Sequence, residues 1–216
     1  MAKINVLPRE VAELIAAGEV VERPASVIKE LVENSVDAGS TAVTVEIKSG
    51  GVTFMRVTDN GCGIEKQYVA TAFLRHATSK IKTGDDLGSI ATLGFRGEAL
   101  AAISSVSRVE MLTKTRDEAT GTAYRSSGGN DVSSEEAGCP DGTTIIVRDL
   151  FFNTPARMKF LKKDITEGNA VGALLEHIAL SHPEISFKFI RDGKQVFSTP
   201  GDGRLISAIY AVLGRD

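Results

Sequence analysis

The most constraining stretch of this chain is an alternation that ends in a turn. From Thr41 to Lys48, Val43, Val45 and Ile47 point one way and Thr44, Glu46 and Lys48 the other. Strict alternation is the signature of a half-buried strand. Gly50-Gly51 then turns the chain, and Val52 to Asp59 reads as the hairpin partner. A hairpin of this kind has one apolar face to cover, and the segment before it is a helix. Pro24 suits the first turn, Gly39 is a good stop, and Val27, Ile28, Leu31 and Val32 supply an apolar side.

The remaining elements follow the same logic. A first helix is expected over Arg9 to Ala17, with Val11, Leu14 and Ile15 on one side. Lys66 to Leu74 reads as helical, a polar, Gly-dotted stretch runs from His76 to Gly94, and another helix starts near Gly97. Arg108 to Thr115, Thr122 to Ser126 and Thr143 to Val147 are strand candidates. Pro155 opens a short basic helix and Glu167 to Ser181 a longer one. Ile185 to Ile190 and Gln195 to Ser198 form a hairpin around Asp192-Gly193, and Leu205 to Leu213 is helical. Strands joined by hairpins, with helices between, predict an α+β two-layer sandwich rather than a parallel βαβ fold.

Composition sets outer bounds. Across 216 residues, 42% hydrophobic side chains are enough to offset chain entropy, so disorder is excluded as the dominant state. No run approaches the roughly 20 apolar residues of a membrane span, and the start MAKINVLPRE has no signal-peptide core. Cys62 and Cys139 are too few for a disulfide framework or a four-ligand zinc site, which suits a reducing, intracellular location. A net charge of −3 argues against a globally basic nucleic-acid binder and leaves room for a local patch.

Four places can carry chemistry. Glu30, Glu33, Asn34 and Asp37 fall at i, i+3, i+4 and i+7 and share one helical stripe, with Lys29 poorly placed to relieve their repulsion. The stripe is either a solvated acidic face or a divalent-cation site, because Mg²⁺ takes hard oxygen ligands and shares its shell with phosphates and waters. A carboxylate one turn from the ion can accept a proton from water. Asp59-Asn60-Gly61-Cys62-Gly63 closes a strand: either a simple Asx-type turn, or a carboxylate that accepts from an amino group while a flat surface packs on the glycine backbone. Gly94 to Leu100 leads glycines into a helix start with Arg96 nearby, which is either a loop or a phosphate cradle. Asp141-Gly142-Thr143-Thr144 places hydroxyls at the start of a strand. No P-loop, complete G-x-G-x-x-G, H-E-x-x-H or G-x-S-x-G is present. His76, His177 and His182 have no metal spacing, and His177 reads as a half-buried helix residue.

In this order, E-x-x-x-N (Glu30 to Asn34), D-x-G-x-G (Asp59 to Gly63), G-x-x-G (Gly94 to Gly97) and G-T (Gly142-Thr143) resemble the four motifs of the GHKL ATPases, which include DNA gyrase's ATPase subunit, heat-shock chaperones, histidine kinases and MutL. IAAGEVVERPASVIKELVENSVDAG, RHATSKI, GFRGEAL and FFNTPARMKFL look like the MutL family of DNA mismatch-repair proteins.

That resemblance implies a mixed, mostly antiparallel sheet covered on one face by helices, with ATP and Mg²⁺ as cofactors. It assigns Glu30 as the general base, Asn34 as the Mg²⁺ ligand and Asp59 as the acceptor for the adenine amino group. Thr143 assists through a water, and Gly61 and Gly63 let the base pack close. Asp37 belongs to the same motif. Arg75 to Lys80, with Thr78, Ser79 and Lys80, forms a lid together with Gly94, Phe95, Arg96, Gly97, Glu98, Ala99 and Leu100, donating amides to the phosphates. It further implies an ATPase domain over residues 1–203, the start of a second domain over 204–216, and self-dimerisation on ATP binding. The implied partners are a MutS-type mismatch-recognition protein, a downstream nuclease or helicase, and DNA held weakly and non-specifically, with no membrane. The implied location is the bacterial cytosol, at the nucleoid. The competing reading is a DNA-binding or protein-interaction module with a vestigial pocket, supported by Arg157, Lys159, Lys162 and Lys163. GFRGEAL and NTPAR disfavour a topoisomerase subunit.

Overall fold

The computed structural model describes residues 6, 8, 17–18, 20–78 and 97–214, and only the backbone of Asp131. The expected helix over Arg9 to Ala17 lies almost wholly outside the described residues. The chain builds α1 (Pro24–Asp37), β1 (Ala42–Lys48), β2 (Phe54–Asp59), α2 (Lys66–Val69), α3 (Ala99–Ser105), β3 (Arg108–Lys114), β4 (Gly121–Ser127), β5 (Asn130–Ala137), β6 (Gly142–Arg148), α4 (Pro155–Met158), α5 (Asp164–Ser181), β7 (Ser186–Arg191), β8 (Lys194–Ser198) and α6 (Leu205–Leu213).

The strands form one eight-stranded sheet in the order β5-β4-β3-β6-β2-β1-β7-β8. Every described pairing is antiparallel except β1 with β7. The parallel pair exists because α4 and α5 carry the chain back over the sheet before β7 begins. The sheet is therefore mixed and mostly antiparallel, as expected.

Register turns the alternation into two unlike faces. Phe189, Val45, Val57, Ile145, Met111 and Tyr124 stand side by side across six strands and are all buried. One row along, Ile47, Met55, Val147 and Val109 do the same. Against these rows pack Val27, Ile28, Leu31 and Val32 of α1, Val171 and Leu175 of α5, and Ile103 of α3. Each such side chain contributes on the order of 1.5–3 kcal/mol by leaving water. The opposite face carries charge: Arg56 pairs with Glu46 at 2.6 Å, and Arg125 and Arg148 both reach Glu110. Surface pairs of this kind add little stability, so the covered face holds the fold together.

Two local expectations need correction, the helix expected near Gly97 is present, and one strand was not foreseen. Lys66 to Leu74 is not one helix: α2 ends at Val69 and a 3-10 turn spans Thr71–Phe73, where the Phe73 ring stacks on Tyr124 at 4.1 Å. The helix expected near Gly97 begins at Ala99. His177 is exposed rather than half-buried. The strand β5 was not expected, because NDVSSEEA has no apolar alternation; it is an edge strand whose residues 132–136 are exposed. Edge strands rich in charge discourage pairing with other chains.

An ion pair between half-buried Arg23 and buried Glu167 ties the start of α1 to α5. Glu167 is 1% exposed. Its Oε2 accepts from Arg23 Nε at 3.0 Å and Nη2 at 2.8 Å, and its Oε1 accepts from the Lys162 amide at 2.9 Å. Removing one partner strands a charge in the interior, which costs about 3–5 kcal/mol. Arg23→Ala should lower the unfolding free energy by about 3 kcal/mol, read from urea denaturation, whereas exposed Arg125→Ala should change it by less than about 1 kcal/mol.

Candidate functional site

The helix-facing side of the sheet has a third row, and it is polar on one side of β1. Phe187, Val43, Asp59, Thr143, Thr113 and Thr122 are consecutive cross-strand neighbours. A carboxylate and three hydroxyls therefore sit where the other rows carry hydrocarbon. Asp59 is held from several sides. Its Oδ1 accepts from the Gly61 amide at 2.8 Å and its Oδ2 from Ser35 Oγ at 2.9 Å. Burial pushes the Asp59 carboxyl above its ordinary range, while bonds from the Gly61 amide, the Ser35 hydroxyl and the Thr143 amide pull it back down.

Ser35 is the connection between the two halves of the site. It is buried in α1 directly after Asn34, so its bond to Asp59 places the acidic helix against the end of β2. Glu30, Glu33, Asn34 and Asp37 are all partly exposed on that helix, available to a ligand rather than sealed in the core. The charge repulsion expected on this stripe is relieved: contrary to the sequence reading, Lys29 Nζ lies 2.7 Å from the Glu33 carboxylate and 3.9 Å from Glu30. The helix ends as Gly39 suggested, with the Ala38 amide bonding Asn34 O and the Gly39 amide bonding Val36 O.

The glycine loop fits tightly on its neighbours. Asn60 folds back to accept from the Thr41 and Ala42 amides at 2.9 Å each, which makes it a structural residue. Gly63 has φ +71°, and a Cβ there would stand 2.2 Å from Lys114 O. Gly142 has φ +105°, and a Cβ there would stand 2.2 Å from Asp59 O. Both positions require glycine, and together they seat β3, β6 and the loop around Asp59. Cys62 is exposed on the loop and Cys139 is half-buried.

Of the expected lid, Ser79, Lys80, Gly94, Phe95 and Arg96 lie outside the described residues. The ends that are described meet: His76 Nδ1 is 3.2 Å from Glu98 Oε1, which joins the RHATSKI and GFRGEAL segments at their bases. Thr78, Gly97, Glu98, Ala99 and Leu100 are partly exposed, and Leu100 packs on the core. The basic cluster separates into two kinds of residue. Arg157 is half-buried, with Nη1 3.5 Å from Val21 O and its guanidinium 6.0 Å from the Phe151 ring centre, whereas Lys159, Lys162 and Lys163 are exposed.

Two residues of the site went unnoticed in the sequence reading. Ser35 sits on the apolar side of an amphipathic helix, where a hydroxyl is out of place. Thr113 shares a face with Val109 and Met111, and it interrupts their alternation in the same way. Among the described residues, no group of three or more His, Cys, Asp and Glu side chains is placed to hold a metal.

Residues 22–139 match the family described as histidine kinase-, DNA gyrase B-, and HSP90-like ATPase. Over all 216 residues the chain is 58% identical to the DNA mismatch repair protein MutL of Agathobacter rectalis and 50% identical to that of Symbiobacterium thermophilum. It covers 33% and 34% of those proteins, so it spans about a third of their length. The structure of the Aquifex aeolicus MutL ATPase domain complexed with ADP superposes with a TM-score of 0.72 at 35% identity, covering 90% of this chain and 70% of that one. The N-terminal domain of a DNA repair protein superposes with a TM-score of 0.75 at 25% identity, covering 94% and 60%. The matched segment runs through the acidic helix, the Asp59 loop and Thr113 and Thr122 of the polar row up to Cys139, more than half of the chain, and the chain accordingly belongs to the histidine kinase-, DNA gyrase B- and HSP90-like ATPase family, as an ATPase domain of the MutL type.

Proposed function

We propose that this chain binds and hydrolyses ATP as the N-terminal switch of a MutL-type DNA mismatch-repair protein. The observation that carries this reading is the Ser35–Asp59 bond, which sets a base-reading carboxylate against the helix that bears Glu30 and Asn34. Asp59 accepts from the adenine amino group, Thr143 assists through a water, and Gly61 and Gly63 leave room for the base. Asn34 offers a neutral amide oxygen to Mg²⁺. The fit is chemical: one hard oxygen on a polar stripe suits an ion that completes its shell with phosphates and waters. When bound, that ion supplies neutralisation of phosphate charge. Glu30, one turn away, accepts the proton of the attacking water, and no side chain is required as a covalent nucleophile. Asp37 keeps the stripe polar.

The segments Arg75 to Lys80 and Gly94 to Leu100 act as the lid, donating amides to the phosphates and ordering when the γ-phosphate is present. Lid ordering drives self-dimerisation and couples a MutS-type mismatch-recognition protein to strand incision by a downstream nuclease or helicase. DNA is bound weakly and without sequence preference, and the location that fits is the bacterial cytosol, at the nucleoid. Residues 1–203 are the ATPase domain and 204–216 begin a second one. The exposed Leu205, Ile206, Tyr210 and Leu213 of α6 support that boundary.

Glu30→Ala should keep nucleotide affinity and lose at least about 100-fold in phosphate release measured in the full-length protein; unchanged turnover would remove the base assignment. Asn34→Ala should abolish the part of ATP-analogue affinity that depends on Mg²⁺, read by calorimetry with and without the ion. Asp59→Asn should weaken ATP binding at least about tenfold and yet raise the melting temperature of the free chain at neutral pH. The sign follows from the raised carboxyl: the folded chain holds that proton more tightly than the unfolded chain, so ionisation costs stability at and above neutrality. That gain over wild type should shrink as the pH falls from neutrality toward the ordinary carboxylate range and be gone below it, in melts from pH 8 down to about pH 3.

A further inference from the structure

The polar stripe of α1 carries two glutamates one turn apart and a lysine that can reach either. Lys29 Nζ lies 2.7 Å from each Glu33 oxygen and 3.9 Å from Glu30 Oε1. The first distances are those of charge-assisted hydrogen bonds, and the last is beyond hydrogen-bond reach. The ammonium is therefore committed to Glu33, although Glu30 is its immediate neighbour in the chain. Helix geometry accounts for this choice, since residues four apart share a face and consecutive ones do not. Burial reinforces it: the Glu33 side chain is 15% exposed and that of Glu30 30%, and the more sheltered pair is the less screened by water and salt.

We propose that Glu33 is a positioning residue for hydrolysis: by holding the Lys29 ammonium with both oxygens it keeps that cation off Glu30, whose carboxylate can then turn to the attacking water. This rests on the assignment of Glu30 as the general base. In that step the water oxygen bonds to the γ-phosphorus, the bond from phosphorus to the ADP oxygen breaks, and one water proton passes to Glu30. An ammonium has three protons to donate and a carboxylate only its oxygen lone pairs to offer. A Lys29–Glu30 pair would occupy the lone pairs that the water proton needs. Lys29 sits on a flexible four-carbon stem, so without Glu33 it closes the remaining gap to Glu30. Glu33 touches neither water nor nucleotide in this role and acts through Lys29. A stripe that needs one base thus carries two glutamates, the second to occupy the cation that offsets their repulsion.

The test is steady-state phosphate release by the full-length protein over a range of Mg·ATP concentrations, with calorimetry of a non-hydrolysable imido analogue on the same protein. Glu33→Ala releases Lys29 to pair with Glu30, so kcat should fall about two- to fivefold, the factor that an ion pair of such exposure is worth. Analogue affinity should hold or rise, because a negative charge beside the phosphates is gone. Lys29→Met alone should keep kcat and affinity, and the double variant Lys29→Met with Glu33→Ala should regain the wild-type kcat. A merely structural role predicts the reverse, with the double variant worse than either single one. Alanine and methionine are good helix formers, and Glu33→Gln, which keeps the side-chain length and loses the charge, replaces Glu33→Ala if melting curves show that the alanine variant folds poorly. An unchanged kcat on loss of the Glu33 charge, or no recovery in the double variant, overturns the inference and leaves the ATP-binding reading intact. Weaker analogue binding by Lys29→Met overturns it as well, since the ammonium would then serve the phosphates. If Glu30→Ala turns over normally, the assignment of the base fails and the inference with it.

Discussion

The site depends on one carboxylate kept at the edge of a hydrocarbon layer. Asp59 belongs by register to a row that begins with Phe187 and Val43, and it stays ionisable there because Gly61, Ser35 and Thr143 surround it with donors. Withdraw those donors and an apolar side chain would be the more stable choice at this position, since a buried charge without partners costs several kcal/mol. The loop glycines, the helix end at Gly39 and the start of β6 are arranged around this need. The base contact proposed for Asp59 comes at a cost in local stability, which the two large apolar rows beside it offset.

The same division runs through the whole layer of helices. The helix α1 must present Glu30, Asn34 and Asp37 on one side and Val27, Ile28 and Leu31 on the other, so it cannot be clamped around its full circumference. Instead it is anchored at its ends. Arg23 pins the entry to Glu167, and Ser35 pins the exit to Asp59. Between those anchors the polar stripe stays accessible, and Lys29 softens its repulsion without covering it. Rigid ends with an open middle suit the phosphate and water contacts proposed for this surface.

Local pattern was the most legible part of the fold. Alternation located β1, β2, β3, β6 and β7, and Pro24 and Gly39 bounded α1, because these signals act over a few residues. The strand β5 was hidden since an edge strand made of NDVSSEEA buries nothing and so has no apolar period. The split of Lys66 to Leu74 into two pieces depends on the Phe73–Tyr124 stack, a contact between distant residues. In the site, the motif residues were legible by type and spacing. Ser35 and Thr113 were not, because a hydroxyl's part depends on which donor or acceptor stands opposite, and that is a matter of register. The role of Lys29 was misread for a related reason: one flexible side chain can reach a neighbour one turn away.

The one parallel pairing has a consequence in time as well as in space. Ala42 of β1 faces Ser186 of β7, about 140 positions further on. A ribosome adding about 5–20 residues per second needs on the order of ten seconds to cover that gap. During that interval β1 can zip to β2 yet has bare amides and carbonyls along its other side, the very surface on which foreign strands nucleate. The newborn polypeptide is thus most vulnerable to misassociation just before β7 emerges, and the arrival of Phe187 and Phe189 closes the exposed seam.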